Sequence, residues 1–381
     1  MLRVDVRPRM LRWARERAGY SAASLTKRFP KLLAWEEGEV QPTLKQLERF
    51  AKATHVAVGF LFLPEPPEES IPIPDFRRVA GAKAASPGPN LLDTIYLCQE
   101  RQDWFRDFAR SSGESPLDFV GSVRAGDDLV RTAATIRESL RFDFDARRRI
   151  PSWTEALRQF VGQAEDAGIL VMRSGVVGNN TRRTLDPEEF RGFTLVDDLA
   201  PLIFINSADT KAAQMFTLAH ELAHVWLGQS ALTDSEAGWI PDQNVERWCN
   251  RVAAELLVPL SIMEQEFDRD APLEAEVQRL ARRFKVSTLG ILRRIHDAGG
   301  MTRSQLWAEY EAEVQRLQGL PRGDGGDFYP TQAARTGRRF TRALVISTLE
   351  GRTLHRDAFR LLGFRKLSTF QELGRSLGVS A

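Results

Sequence analysis

The residues of this chain whose types and spacing could do chemistry lie in His220-Glu221-Leu222-Ala223-His224. Side chains four apart on a helix leave one face. The imidazoles of His220 and His224 are therefore placed to reach a single ion, with nitrogen–metal distances of about 2.0–2.1 Å. Glu221 beside the first histidine could take a proton from water and pass it to a leaving amine, while the ion polarises a scissile carbonyl. That is the chemistry of a zinc-dependent endopeptidase, although a two-histidine, one-carboxylate set accepts other divalent ions as well. The chain has 5 histidines (His55, His220, His224, His296, His355), and the motif uses two of them. Its flanks, Phe216, Leu218, Ala219, Leu222, Ala223 and Trp226, are apolar at helical spacing. The helix should therefore be sunk in a core, where two unpaired imidazoles would be costly.

A peptidase metal needs a third protein ligand and an open position. The HExxHxxGxxH arrangement is absent, so a carboxylate on a second helix is expected. Glu246 lies in Glu246-Arg-Trp-Cys-Asn250, where the ExxxN spacing puts Glu246 and Asn250 on one helix face. Glu246 is the expected ligand, and Asn250 is placed to orient a ligand histidine. Glu236, in a loop, and Glu255, further along the same helix, are the competitors. At 100° per residue Glu255 falls on the face opposite Glu246 and reads as a solvated helix charge.

The elements that must position these residues follow from periodicity and breakers. Three compact apolar runs, near residues 168–172, 193–196 and 202–205, are bounded by Gly, Pro, Asp or Asn and read as strands. Helices are expected at about 210–228 and 242–257, with a helical remainder to about residue 318. A sheet followed by such a helix is the layout on which an extended substrate docks along a strand edge. Residues 91–165 read as helical. Residues 8–63 read as short amphipathic helices, with Ser21 and Pro42-Thr43 as start signals. The fold class is thus mixed and mostly α: an N-terminal all-α domain (1–64), a Pro-rich linker (65–90), an α+β domain (91–318), a Gly/Pro-rich flexible loop (319–330) and a small helical C-terminal segment (331–381).

His220-Glu-Leu-Ala-His224 followed by Glu246-x-x-Cys-Asn250-x-x-Ala-Ala-Glu-Leu-Leu-Val-Pro259 resembles the ImmA/IrrE metallopeptidases. The lead-in Arg191-Gly-Phe193 and Leu202-Ile-Phe-Ile-Asn206 is similar too, so the resemblance covers about residues 150–300. It implies a zincin-like fold, zinc held by His220, His224 and Glu246, and Glu221 as general base. It also implies a protein substrate of the repressor or antitoxin type. Residues 8–63 resemble an XRE-type helix-turn-helix, through Leu11-x-Trp13-Ala14-Arg15 with Gly19 and Ser21, and Trp35-Glu36-Glu37-Gly38 with Pro42-Thr43-Leu44. The stretch from Lys27-Arg28 to Trp35 is about four residues shorter than the usual turn and recognition-helix start. Lys27, Arg28 and Lys31 could touch DNA phosphate, which positions a protein without specifying a base; the module could equally serve protein contact.

Composition sets outer limits. Net charge is +2, so no whole-chain attraction singles out a partner, but residues 1–35 and 335–366 each carry nine Lys/Arg against two acids. Two distant cysteines, Cys98 and Cys249, make neither a disulfide framework nor a CxxC site, and suit a reduced, cytoplasmic compartment. No run approaches the ~18 apolar residues of a membrane span. Two function classes stay open: a zinc endopeptidase targeted by a helix-turn-helix module, and a DNA-binding transcription regulator whose metal site is a sensor or relic.

Overall fold

The apolar spacing of residues 8–54 resolves into four helices: α1 (Pro8–Arg17), α2 (Ala22–Thr26), α3 (Leu32–Glu36) and α4 (Leu44–Thr54). In this computed structural model, which describes residues 3–75, 87–233, 244–318 and 334–379, the start signals act as side-chain caps. Ser21 accepts from the Ser24 amide, and Thr43 forms a capping box with Gln46. Met10, Leu11, Leu32, Leu47 and Phe50 are buried together, with Trp35 edge-on to Phe50. Arg15 makes a two-pronged pair with Glu36 (2.7 and 3.0 Å), tying α1 to α3. The chain divides into two compact units, Met1–Pro72 with Gly81–Asp93, and Ile73–Ala80 with Thr94–Ala381.

The second unit is built on a four-stranded sheet in the order β1-β3-β2-β4, with β1 Leu170–Ser174, β2 Gly192–Leu195, β3 Leu202–Asn206 and β4 Ala231–Thr233. β1 and β3 are parallel, whereas β2 runs antiparallel to both β3 and β4. The burial of every residue of β2, β3 and β4 explains their continuous apolar runs, since strands covered on both faces lose the in–out alternation. β4 was not expected from sequence. Three residues are too few to show a period of two, and pairing with β2 alone defines them as a strand. On the outer side of β4, the Leu232 amide donates to the Pro74 carbonyl at 2.9 Å, and Asp75 bridges Leu232.

Helix α9 (Lys211–Leu227) lies against β2 and β3. Thr210 caps its start, and Gly228 ends it at φ 68°, a left-handed turn that glycine adopts without strain. Met215, Leu218, Leu222, Val225 and Trp226 are buried in one core. Each large apolar side chain there contributes about 1.5–3 kcal/mol on burial. Helix α10 (Asn244–Leu257) packs across α9 and against the helix Leu129–Ser139. The long helix Pro89–Ser111 sends Arg101 to the Leu361 carbonyl at 3.0 Å, so it anchors the C-terminal helices Arg338–Leu349, His355–Leu362 and Leu367–Ser376. Cys98 and Cys249 are both buried free thiols, and burial pushes Cys98 up to about 12. Among the described residues no helix is long and apolar enough to cross a membrane. The expected flexible loop at 319–330 and the competing Glu236 lie outside the described residues.

Candidate metal centre

α9 projects His220, Glu221 and His224 into the interior, all three fully buried. α10 brings Glu246 to meet them, 2% exposed. His220 Nε2 lies 3.2 Å from Glu246 Oε2, and His224 Nε2 lies 3.0 Å from Glu246 Oε1. The two Nε2 atoms are 3.1 Å apart. Two donors each at about 2.0–2.1 Å from one tetrahedral ion would sit roughly 3.3–3.4 Å apart. The cluster is therefore nearly closed to the right size for a small divalent cation, and it is a group of the kind that could hold one. Two neutral imidazoles and a carboxylate are also the donor chemistry that zinc takes.

Asn250 stands one turn beyond Glu246 on α10, and its Oδ1 is 2.8 Å from His220 Nδ1. An amide oxygen there accepts the Nδ1 proton, which leaves the Nε2 lone pair directed at the cluster. Electrostatics bind the three groups to one another. Burial by itself would raise the Glu246 carboxyl, but His220 and His224 hold it far below the usual carboxylate range. Burial would likewise lower His220, yet Glu246 more than offsets it and raises the imidazole.

Glu221 occupies a different niche, facing β2 and β4. Thr194 Oγ1 donates to its Oε2 at 2.6 Å, and Thr233 Oγ1 donates to its Oε1. Burial raises this carboxyl, and the two imidazoles and two hydroxyls oppose that rise. Neither threonine was singled out in the sequence, because an isolated Thr in a strand carries no chemical signature. The cue available was Gly192 two residues before Thr194, on the same strand face.

Glu255 differs from its reading as a solvated charge. It is buried, 6% exposed, and pairs with Arg294 at 2.5 Å while accepting from the Leu260 amide. The helical wheel placed it correctly away from Glu246, but a second layer of helices covers that face too. Lys27, Arg28 and Lys31 are all exposed, in and around the turn between α2 and α3. α3 itself is five residues long. His296 is partly exposed beside Asp297. Ser230 serves structure, accepting from the Val196 amide at 2.9 Å.

Comparison with known proteins places this geometry. Residues 164–296 match the family model of the IrrE N-terminal-like domain, and residues 336–376 match a domain of unknown function. A curated protein named radiation response metalloprotease IrrE, from Deinococcus radiodurans, is 35% identical over 96 residues, covering 24% of this chain and 29% of the relative. Its namesake from Deinococcus deserti is 38% identical over 96 residues, covering 24% of this chain and 34% of the relative. The chain thus spans about a third of the length of these relatives. Residues 164–296, the stretch similar to the IrrE N-terminal-like domain, hold the whole His220–His224–Glu246 cluster.

Proposed function

We propose that the chain is a zinc-dependent endopeptidase that cleaves a regulatory protein, of the repressor or antitoxin type, and that its N-terminal unit is a helix-turn-helix module that targets it. The observation that carries the reading is the convergence of His220 Nε2, His224 Nε2 and Glu246 within 3.2 Å of one another, with Glu221 on the same helix. His220, His224 and Glu246 would hold the ion, and Asn250 would orient His220. Zinc bound there supplies Lewis-acid polarisation of a carbonyl and of water at neutral pH. Glu221 takes the proton that water loses as it attacks the peptide carbon, and returns it to the amine as the C–N bond breaks. A purely structural metal site has no use for that carboxylate.

A peptide adding to the outer edge of β4 would pair with the backbone of Leu232 there. The Leu232 amide on that edge already donates to Pro74, so such a peptide takes Pro74's place. Both Deinococcus relatives bear the name metalloprotease. The substrate class comes from the family resemblance.

The test compares newly formed protein N-termini, by mass spectrometry, in cells carrying the wild-type chain or Glu221→Gln. Cleavage products should appear with the wild type and fall by a factor of about 10²–10⁴ with the variant, while the purified variant still binds zinc. Equal cleavage in the two strains rejects the reading.

A second reading, a DNA-binding regulator with a sensory or relic metal site, is favoured by exposed Lys27, Arg28 and Lys31. With α3 only 5 residues long, these cations would hold phosphate with little base readout. Binding of the full chain to duplex DNA should then weaken steeply with salt and differ little between sequences. A complex insensitive to salt, or none at low salt, removes this reading.

A further inference from the structure

The Gly192–Thr194–Thr233 niche around Glu221 is more specific than packing requires. Gly192 pairs with Thr233 across the β2–β4 ladder, and cross-strand partners share a sheet face. Thr194 joins that face through the two-residue repeat of the strand. α9 crosses it, so three sheet residues converge on one carboxylate. Thr194 Oγ1 donates to Oε2 at 2.6 Å and Thr233 Oγ1 donates to Oε1. Thr194, Thr233 and Glu221 are each 0% exposed. A Cβ on residue 192 would come within 3.0 Å of Glu221 Oε1 and 2.6 Å of Thr217 Cγ2, so glycine leaves the space the carboxylate fills.

We propose that Thr194 and Thr233 are positioning residues that hold the Glu221 carboxylate, one hydroxyl per oxygen, in the orientation its proton transfer needs. The proposal rests on the reading of Glu221 as general base. Valine would fill the same volume at either position and suits a buried strand at least as well, so packing and strand formation do not call for the hydroxyls. A glutamate side chain has three rotatable bonds, and donors on two different strands remove that freedom. An ionised carboxylate offers about four lone-pair sites. The two hydroxyls take two, and leave one on each oxygen for water. Because Thr233 sits on β4, the base is also tied to the sheet edge next to which a peptide would lie. Small displacements of a positioned group cost about 100-fold in rate.

The test uses the full-length chain with Thr194→Val, Thr233→Val and the double variant, each beside its Thr→Ser counterpart. The first readout needs no substrate. Infrared difference spectra, wild type minus Glu221→Gln, isolate the carboxylate stretch of Glu221. That band should shift in the valine variants, most in the double variant, and return in the serine variants. The second readout is the appearance of the cellular cleavage products, which should slow about 100-fold in the double valine variant and stay within a few-fold of wild type with serine. Zinc content and the denaturation midpoint distinguish positioning from support. They should change little in the single valine variants. An unshifted band, undiminished cleavage in the double variant, loss of cleavage equal for serine and valine, or loss of zinc in parallel with activity each overturns the proposal. Failure of the peptidase reading looks different: Glu221→Gln cells would cleave like wild type, whatever the infrared band does.

Discussion

His220 and His224 would be interchangeable on a helical wheel, yet they differ in surroundings. His220 Nδ1 meets Asn250 Oδ1 at 2.8 Å, so α10 contributes both the carboxylate and the group that fixes the first imidazole's tautomer. The two buried glutamates of α10 have different partners, the two imidazoles for Glu246 and Arg294 for Glu255. Glu246→Gln removes a charge from the donor cluster and should abolish tight zinc binding in a chelator competition. Glu255→Gln should leave zinc affinity within a few-fold of wild type. It breaks the buried Arg294 pair instead, and should cost about 3–5 kcal/mol in urea unfolding. If both variants lose zinc equally, the assignment of Glu246 over Glu255 is wrong. The HExxH motif and Glu246 were legible because metal ligands need particular residue types at particular spacings. Thr194 and Thr233 were not, because a hydroxyl in a strand acquires its role only from what the neighbouring element presents to it.

Elements meet in ways that charge alone does not foretell. The helix Trp153–Asp166 carries Glu165, whose Oε1 accepts from the Arg339 amide at 3.1 Å, at the start of the helix Arg338–Leu349. Gly337 precedes that helix at φ 78°, where a Cβ would lie 2.9 Å from the Val171 carbonyl oxygen. Burial pushes Glu165 from 4.5 up to about 7, with the amides of Arg339 and Arg338 and the charges of Arg338 and Arg173 opposing the rise. Between those two values the folded chain keeps a proton that the unfolded chain has released. The stabilisation is therefore full below about 4.5 and is lost as pH rises through about 7. A shift of that size corresponds to about 3 kcal/mol. Urea unfolding of the wild type against Glu165→Gln should show this pH slope in the wild type alone; superimposable slopes would mean that Glu165 titrates as an ordinary carboxyl.

At the scale of the whole chain, the second unit is held together by contacts between residues far apart in sequence. Arg101, buried on the helix Pro89–Ser111, donates to the Leu361 carbonyl, 260 residues away. Burial lowers this guanidinium, and its Nη1 lies 3.6 Å from Met172 Sδ. Arg101→Ala leaves a cavity and an unpaired carbonyl, and should cost about 2–5 kcal/mol. Limited proteolysis should then release the C-terminal helices before the rest of the chain. A variant as stable and as protease-resistant as wild type would show that these helices are held elsewhere. Residues 336–376, which match a domain of unknown function, also bond to Glu165 and Asn179 of the IrrE-like region, away from the His220–His224–Glu246 cluster.

Sequence by itself determined the local things. Helical spacing put two imidazoles on one face, capping residues set the starts of α2, α4 and α9, and apolar runs announced β1, β2 and β3. Each of these depends on residues within a few positions of one another. Tertiary structure decided the rest. It buried Glu255 against Arg294 on the face of α10 away from Glu246, and turned an unremarked Ala231–Thr233 into an edge strand by pairing it with β2. It also gave Glu221 its two hydroxyl partners, through a sheet register that no stretch of sequence states. The physical reason is common to all three: burial and pairing are properties of two surfaces in contact, and a sequence displays only one surface at a time.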